Sequence, residues 1–182
     1  GQACRHNFPE TGSIIHVPAP IYENKDDIDR LVKEAEMAIL SSTDGKIGGF
    51  IFETLQGYGG IHVLPDEYIR KMTDLTHKYG GLVIADEIQT GLGRMGKSYW
   101  AYEMSGIEPD IVIVAKGLGC GFPISAVMAS ETTFRQFNLT NKFIFSTYGA
   151  NPTAAAAACA VLDVVRDEKI QERCAYLGDV VD

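Results

Sequence analysis

Leu82-Val83-Ile84-Ala85-Asp86-Glu87 is the stretch that decides the fold, because a continuously apolar run ends there in two acids. A short run of this kind is typical of a strand buried inside a parallel sheet. Similar runs occupy residues 47–52, 111–115 and 124–129. Because helical patterns and glycine-rich loops separate them, we predict an α/β fold. Its sheet is mostly parallel and carries helices on both faces.

The predicted helices follow from apolar residues that recur every three or four positions. The first begins after a possible cap at Asp26-Asp27, and the second runs from Pro65 to Gly80-Gly81. Tyr99 to Met104 predicts a short helical turn. Residues 152–167 predict another helix, and the chain after residue 168 a further one. The alanine-rich part of the former, residues 153–165, is expected to be buried.

Composition excludes several classes of protein. The chain has 182 residues, about one domain in length, and its net charge is −8. Without a basic stripe, nucleic-acid binding is disfavoured, and no apolar run reaches the ~18–20 residues of a membrane span. The four cysteines form no CxxC pair, so we predict no metal site and a reducing compartment. Because the chain starts at Gly1 and stops just after a helical pattern, we expect a processed or truncated piece.

Three predicted strands end in ionisable residues, Glu53, Asp86 and Lys116. In open α/β sheets, ligands bind outside the carboxyl ends of the strands. We therefore expect these three side chains to mark a site.

Lys116 is the candidate nucleophile. A lysine at the mouth of a buried strand is costly unless it is paired or used, and its amine could form a Schiff base with a carbonyl. A surface lysine at a strand end is the simpler interpretation from position alone. Asp86 lies one crossover away along the chain and could hold a proton on a pyridine nitrogen. It could equally be a surface carboxylate or, with Glu87, hold Mg²⁺ beside a nucleotide, although the chain has no GxxxxGK[ST] sequence.

Other patterns carry weaker signals. The glycines at 117, 119 and 121 do not match GxGxxG, because residue 122 is Phe. Residues 145–149 precede a helix start and could bind a phosphate, but ordinary turn and cap chemistry explains them as well. The four histidines are dispersed, and no Ser–His–acid arrangement is evident.

Residues 82–96, LVIADEIQTGLGRMG, resemble the signature of class III aminotransferases, the pyridoxal-phosphate enzymes of fold type I. Further elements of the family follow in the same order. These are Glu53-Thr54-Leu55-Gln56-Gly57 upstream, and then Pro109-Asp110-Ile111, Ala115-Lys116-Gly117-Leu118-Gly119, Gly121-Phe122-Pro123 and Thr147-Tyr148-Gly149-Ala150-Asn151-Pro152. Within the family, the chain resembles the alanine–glyoxylate aminotransferase 2 group.

The resemblance implies roles for four neighbouring residues. Lys116 matches the lysine that forms the Schiff base with pyridoxal 5'-phosphate and later moves the substrate proton. Asp86 matches the partner of the pyridine nitrogen. Ile88 takes the place of the aliphatic residue packed on the ring face, and Gln89 matches the residue near the phenolic oxygen.

Two more residues have implied roles outside that group. Thr147 matches a phosphate ligand that reaches in from the neighbouring subunit, which implies a homodimer with shared active sites. Glu53 matches a carboxylate that neutralises a substrate-binding arginine in some members. Thr54, Ser146 and Ala150 depart from the family's common residues, and these departures concern substrate detail more than the cofactor.

The resemblance implies that residues 1–182 are a partial large, cofactor-binding domain, without the upstream phosphate loop and the C-terminal small domain. The implied reaction moves an amino group from an amino acid or ω-amine to a 2-oxo acid, with alanine and glyoxylate as one candidate pair. Mutase, decarboxylase and lyase relatives remain open, and the similar relatives are mitochondrial. The piece alone is expected to be inactive. The alternatives are a non-catalytic α/β fragment or assembly subunit, and a nucleotide-binding α/β domain.

Overall fold

The computed structural model describes residues 14–21, 27–138, 145–149 and 151–181. Its strands are β1 (Gly49–Phe52), β2 (Leu55–Gln56), β3 (His62–Val63), β4 (Leu82–Asp86), β5 (Ile111–Val114) and β6 (Ala126–Ala129). Its helices are α1 (Ile28–Ser42), α2 (Asp66–Lys78), α3 (Glu131–Asn138), α4 (Pro152–Asp167) and α5 (Ile170–Val181). Among the predicted features, Asp26, Cys4 and His6 lie outside the described residues.

Four strands form one sheet in the order β1-β4-β5-β6, and β2 pairs with β3 in a separate antiparallel hairpin. The pairs β1–β4 and β4–β5 are parallel, so the predicted mostly parallel sheet is confirmed. β6 runs antiparallel to β5. The connection from β5, residues 115–125, contains a 3-10 turn and no α-helix, whereas a parallel neighbour is usually reached through a helical crossover.

The core lies on one face of this sheet. Val83 and Ala85 of β4 are buried, and they share a core with Phe52 of β1 and Val112 of β5. Helix α2 covers this face, with buried residues Tyr68, Ile69, Met72 and Leu75, and α1 adds Leu31, Ala35 and Ile39.

Cover by helices on both faces was expected; within the described ranges, α1 and α2 both pack on the face that carries the core. Residues on the other face, such as Ile84, are only half-buried, and Ile51 is exposed. The topology explains this difference. β1, β4 and β5 follow one another in a single direction across the sheet, and right-handed crossovers then all lie on the same side.

Helix α4 begins and ends where the sequence predicted, at Pro152 and Asp167, but the expectation that its alanine-rich part is buried was wrong. Only Ala154 and Ala158 are buried. Ala158 packs with Leu118 in a small second core. Alanine favours helix formation because it loses no side-chain entropy, and this propensity does not depend on burial.

Several element boundaries differ slightly from the prediction. β1 begins at Gly49 instead of residue 47, and the turn expected at 99–104 is a 3-10 turn over Ala101–Ser105. Asp27 precedes α1 as expected, but its side chain makes no capping hydrogen bond. Among the described helices, none combines the length and apolarity that crossing a membrane requires.

Candidate active site

Lys116 opens a 3-10 turn, Lys116–Gly119, two residues after β5 ends. Its φ is +43°, in the left-handed region that costs a residue with a side chain about 1–2 kcal/mol. The side chain is exposed, and its Nζ donates a hydrogen bond to Gln89 Oε1 at 2.9 Å. Strained backbone of this kind clusters at functional sites, which makes Lys116 a candidate on physical grounds.

Asp86 is the last residue of β4 and stands opposite Ile113 of β5 in the register. Lys116 follows Ile113 by three residues, so both side chains lie at the carboxyl edge of the sheet. The Ile88 amide donates to Asp86 Oδ1 at 3.0 Å. This bond holds the carboxylate at the start of the loop that carries Gln89.

Glu87 points away from this edge into the protein. It is 1% exposed and accepts hydrogen bonds from Thr90 Oγ1 at 2.8 Å, Ala101 N at 3.0 Å and Tyr102 N at 2.9 Å. Burial raises the pKa of the Glu87 carboxyl despite these three donors.

The alternative in which Asp86 and Glu87 hold a metal together finds no support in this geometry. The oxygens of Glu87 are engaged with the protein itself. Among the residues that the structure describes, no group of three or more His, Cys, Asp or Glu side chains is placed to hold a metal ion.

A cavity of about 470 Å³ opens beside Lys116. Its polar wall includes Gln89, Arg94 and Lys116, and its apolar wall includes Ile88 together with Val161 and Val165 of α4. The site therefore offers an exposed amine, a neutral amide and an apolar surface to one open cavity.

Glu53, predicted on the substrate side, follows β1 and is half-buried. Its Oε2 accepts a hydrogen bond at 3.2 Å from the amide of Gly57, the first residue of the β2–β3 turn. In this structure Glu53 therefore binds the backbone of that turn, and Gly57 in the turn lies against Gln89.

A family model described as "Aminotransferase class-III" matches residues 2–182. The chain belongs to the class III aminotransferase family.

Individual relatives agree with this membership. The chain is 41% identical over 152 residues to the "Alanine--glyoxylate aminotransferase 2 homolog 2, mitochondrial" of Arabidopsis thaliana, which covers 84% of this chain and 31% of the relative. It is 42% identical over 154 residues to the "Ornithine aminotransferase, mitochondrial" of Arabidopsis thaliana, a match that covers 84% of this chain and 31% of the relative. The chain thus spans about a third of the length of these curated relatives.

A solved structure shows the same fold. The (S)-enantioselective omega-transaminase from Thermomicrobium roseum superposes with a TM-score of 0.82 at 32% identity, covering 94% of this chain and 40% of that one. The predicted fold type I is confirmed by this likeness.

Class III aminotransferases depend on pyridoxal phosphate, and the residues of this chain fit that group. An aldehyde needs an accessible amine, and Lys116 Nζ meets a neutral amide instead of a carboxylate. A ring nitrogen that carries a proton needs an acceptor, and Asp86 is fixed through one oxygen while its Oδ2 makes no hydrogen bond within the described ranges. Ile88, which lies between Asp86 and Gln89 in the sequence, supplies an apolar surface to the cavity beside Lys116.

Thr147 is not among the residues that surround Lys116 in the structure. It sits in an exposed turn at residues 147–149 and does not line the cavity beside Lys116. The N-terminus of α4, considered above as a phosphate site, is capped by Asn151, whose Oδ1 accepts from Thr153 N at 3.0 Å and Ala154 N at 3.1 Å. Ordinary cap chemistry therefore accounts for that helix start.

Sequence reasoning missed the roles of Glu87 and Gly57. The sequence did indicate that Glu87 is buried. Alternate residues of a strand face the same side, and Glu87 continues the buried series of Val83 and Ala85. Nothing in the sequence indicated that Gly57 lies against Gln89, since that contact joins two distant segments.

Proposed function

We propose that the protein carrying this chain is a pyridoxal-phosphate-dependent transaminase that moves an amino group from an amino acid or ω-amine to a 2-oxo acid. The observation that carries the proposal is Lys116, an exposed lysine held in a left-handed backbone at the carboxyl edge of the sheet. Asp86 and Gln89 reach the same edge.

When bound, pyridoxal phosphate supplies an aldehyde that combines with amines and a protonated ring that withdraws electrons from the substrate carbon. Lys116 Nζ would hold the cofactor and, once displaced by substrate, would move the proton between the substrate Cα and the cofactor C4′. Asp86 would accept the hydrogen bond of the ring nitrogen. Ile88 would pack on the ring face, and Gln89 would lie near the phenolic oxygen.

The substrate pair and the location are proposed from the relatives. Alanine and glyoxylate are the first pair to assay, because both compounds appear in the names of several relatives. Ornithine is the second donor, for the same reason. We propose a mitochondrial location because these relatives carry that word in their names. We propose residues 1–182 as a central part of the cofactor-binding domain, consistent with the share of the relatives that they span.

The decisive experiment is reduction of the native protein with borohydride, followed by peptide mass analysis. Reduction fixes a lysine-bound pyridoxal as a stable secondary amine. We expect the adduct on the peptide that contains Lys116, and its loss in Lys116→Ala together with turnover. Lys97→Ala, another exposed lysine, serves as the matched control and should keep both adduct and turnover.

The alternative, a non-catalytic fragment or assembly subunit, predicts a different result. Native protein without any pyridoxyl adduct and without transaminase turnover would favour it. A Lys116→Ala variant that still transaminates would remove Lys116 from the proposed role.

A further inference from the structure

The backbone of Gly57 is held at both of its polar groups. Its amide donates to Glu53 Oε2 at 3.2 Å, and its carbonyl accepts from the amides of Gly60 and Ile61, both at 3.3 Å. The flanking residue Gln56 belongs to the β2–β3 hairpin, where it pairs with His62. Because both polar groups are engaged, this stretch of backbone has little freedom to shift.

Gly57 also lies directly against the side chain of Gln89. A Cβ placed on Gly57 would stand 2.8 Å from Gln89 Oε1 and 3.1 Å from both Gln89 Cδ and Nε2. The first of these distances is shorter than real Cβ atoms show, so the amide would have to move. The absence of a side chain at Gly57 is therefore what admits the Gln89 amide to its present place.

The Gln89 oxygen beside Gly57 is the same atom that accepts the hydrogen bond of Lys116 Nζ at 2.9 Å. Three segments thus meet at one amide group: the β2–β3 turn, the loop after β4 and the turn after β5. Gln89 is exposed, so a crowded amide would swing into solvent at little cost to the fold. Lys116 would then lose its acceptor.

We propose that Gly57 is a positioning residue for Lys116, acting through the Gln89 side chain. The inference deepens the proposed function, because Lys116 is the residue to which that function assigns the cofactor. Its physical content does not need turnover, since it concerns the amine of Lys116 in the protein itself.

The test measures how fast Lys116 is acylated by an N-hydroxysuccinimidyl ester in the full-length protein, after dialysis against hydroxylamine has taken the cofactor off the lysine and a second dialysis has removed the hydroxylamine. Peptide mass analysis follows Lys116 separately from other lysines. Gly57→Ala should speed acylation by about two- to tenfold, the range expected for loss of one hydrogen bond. Gln89→Ala should give a similar increase, because it removes the acceptor directly.

The double variant Gly57→Ala/Gln89→Ala separates a positioning role from a general loosening. If Gly57 acts through Gln89, the double variant should acylate no faster than Gln89→Ala alone. Gly48→Ala is the matched control, because a Cβ there meets nothing within 4 Å, and its rate should equal that of the wild type. The thermal unfolding midpoint of each variant reports whether the fold is kept.

Two results would overturn the proposal. One is an unchanged Lys116 rate in a folded Gly57→Ala protein, and the other is a double variant whose effect is the product of the single effects. The proposed function fails by a different measurement, the absence of a reduced cofactor adduct, so the two failures are distinguishable.

Discussion

Lys116 differs from Lys71 and Lys78 in what its amine contacts. Lys78 pairs with Glu36, and Lys71 pairs with Asp29 and Glu67; hydrogen bonds to these carboxylates raise the pKa of each lysine. Lys116, in contrast, donates to the neutral amide of Gln89. An amine that is not tied into an ion pair can exchange its partner for a ligand at lower cost, which suits the covalent role proposed for Lys116.

Asp86 provides the first prediction at this scale. Asp86→Asn keeps the shape of the side chain and removes the charge that would hold a proton on the ring nitrogen. We expect turnover to fall by roughly a hundredfold or more, the scale of losing one preorganised group at a reacting centre. Steady-state kinetics of the loaded protein measures it. An unchanged rate would take Asp86 out of the proposed chemistry.

Glu87 provides a prediction about pH. Because burial raises its pKa in the folded state, the folded protein binds more protons than the unfolded chain just above the usual pKa of a glutamate. The contribution of Glu87 to stability is therefore fully present at lower pH and is lost as pH rises through the raised pKa. Glu87→Gln does not titrate, but it replaces one of the two acceptor oxygens with an NH₂ group, so the Ala101 and Tyr102 amides, which bind different oxygens, cannot both keep an acceptor.

We expect Glu87→Gln to lower the free energy of unfolding by roughly 1–3 kcal/mol, the cost of leaving a buried donor unpaired. The deficit relative to wild type should be largest near pH 4.5 and narrow toward neutral pH. Denaturant unfolding of both proteins at a series of pH values measures the difference. A deficit that grows with pH would contradict the sign.

At the scale of an element, the loop between β4 and β5 is held by hydrogen bonds between its own residues. Glu87 at its start binds the backbone of Ala101 and Tyr102 in its second half. Gly93 N donates to Tyr99 O at 2.9 Å across its middle. The hydrogen bonds within this loop therefore restrain the backbone that carries Ile88 and Gln89.

A substitution at Gly91 tests how tightly the loop between β4 and β5 is packed. A Cβ there would lie 2.7 Å from the Trp100 ring and 2.9 Å from the Glu87 carbonyl oxygen. Gly91→Ala should therefore destabilise the protein by about 1–3 kcal/mol through overpacking. Gly178→Ala in α5, where a Cβ meets nothing within 4 Å, should stabilise by about 0.5–1 kcal/mol because alanine loses less backbone entropy in a helix. Thermal unfolding compares the two, and equal effects would contradict the argument.

At the scale of the whole molecule, the turn that carries Thr147 faces outward from the subunit. Its neighbours Phe145 and Tyr148 are 78% and 88% exposed. Exposed aromatic side chains around a polar residue are typical of a surface that meets a partner. This placement supports the proposal that Thr147 serves the site of a second copy of the chain.

A mixture of two defective variants tests the shared site. Lys116→Ala lacks the amine and Thr147→Ala lacks the hydroxyl. If Thr147 acts across a dimer, a mixed dimer contains one site with Lys116 and Thr147 both intact. We expect co-refolded variants to exceed the summed activity of the separate proteins. A mixture that only reaches the sum would place Thr147 in the site of its own subunit or in none.

Much of the fold was predictable because it depends on local patterns. Apolar runs located β4 and β5, and helical spacing located α2 and α4, since strand and helix periods are written into a few consecutive residues. The ionisable residues at strand ends pointed to Lys116 and Asp86 for the same reason, because parallel strands bring their carboxyl ends to one edge. The family signature lies in one continuous stretch, so the sequence alone was sufficient to identify the family.

What only the tertiary structure decided are the contacts between distant segments. That Gly57, Gln89 and Lys116 meet at one amide group depends on the order and register of β1, β4 and β5. Three further features depend on which elements pack against each other. These are the burial of the Glu87 side chain, the exposure of most of α4, and the packing of α1 and α2 on one face of the sheet. Local propensity sets the conformation of a segment, but its neighbours in space follow from the topology of the whole chain.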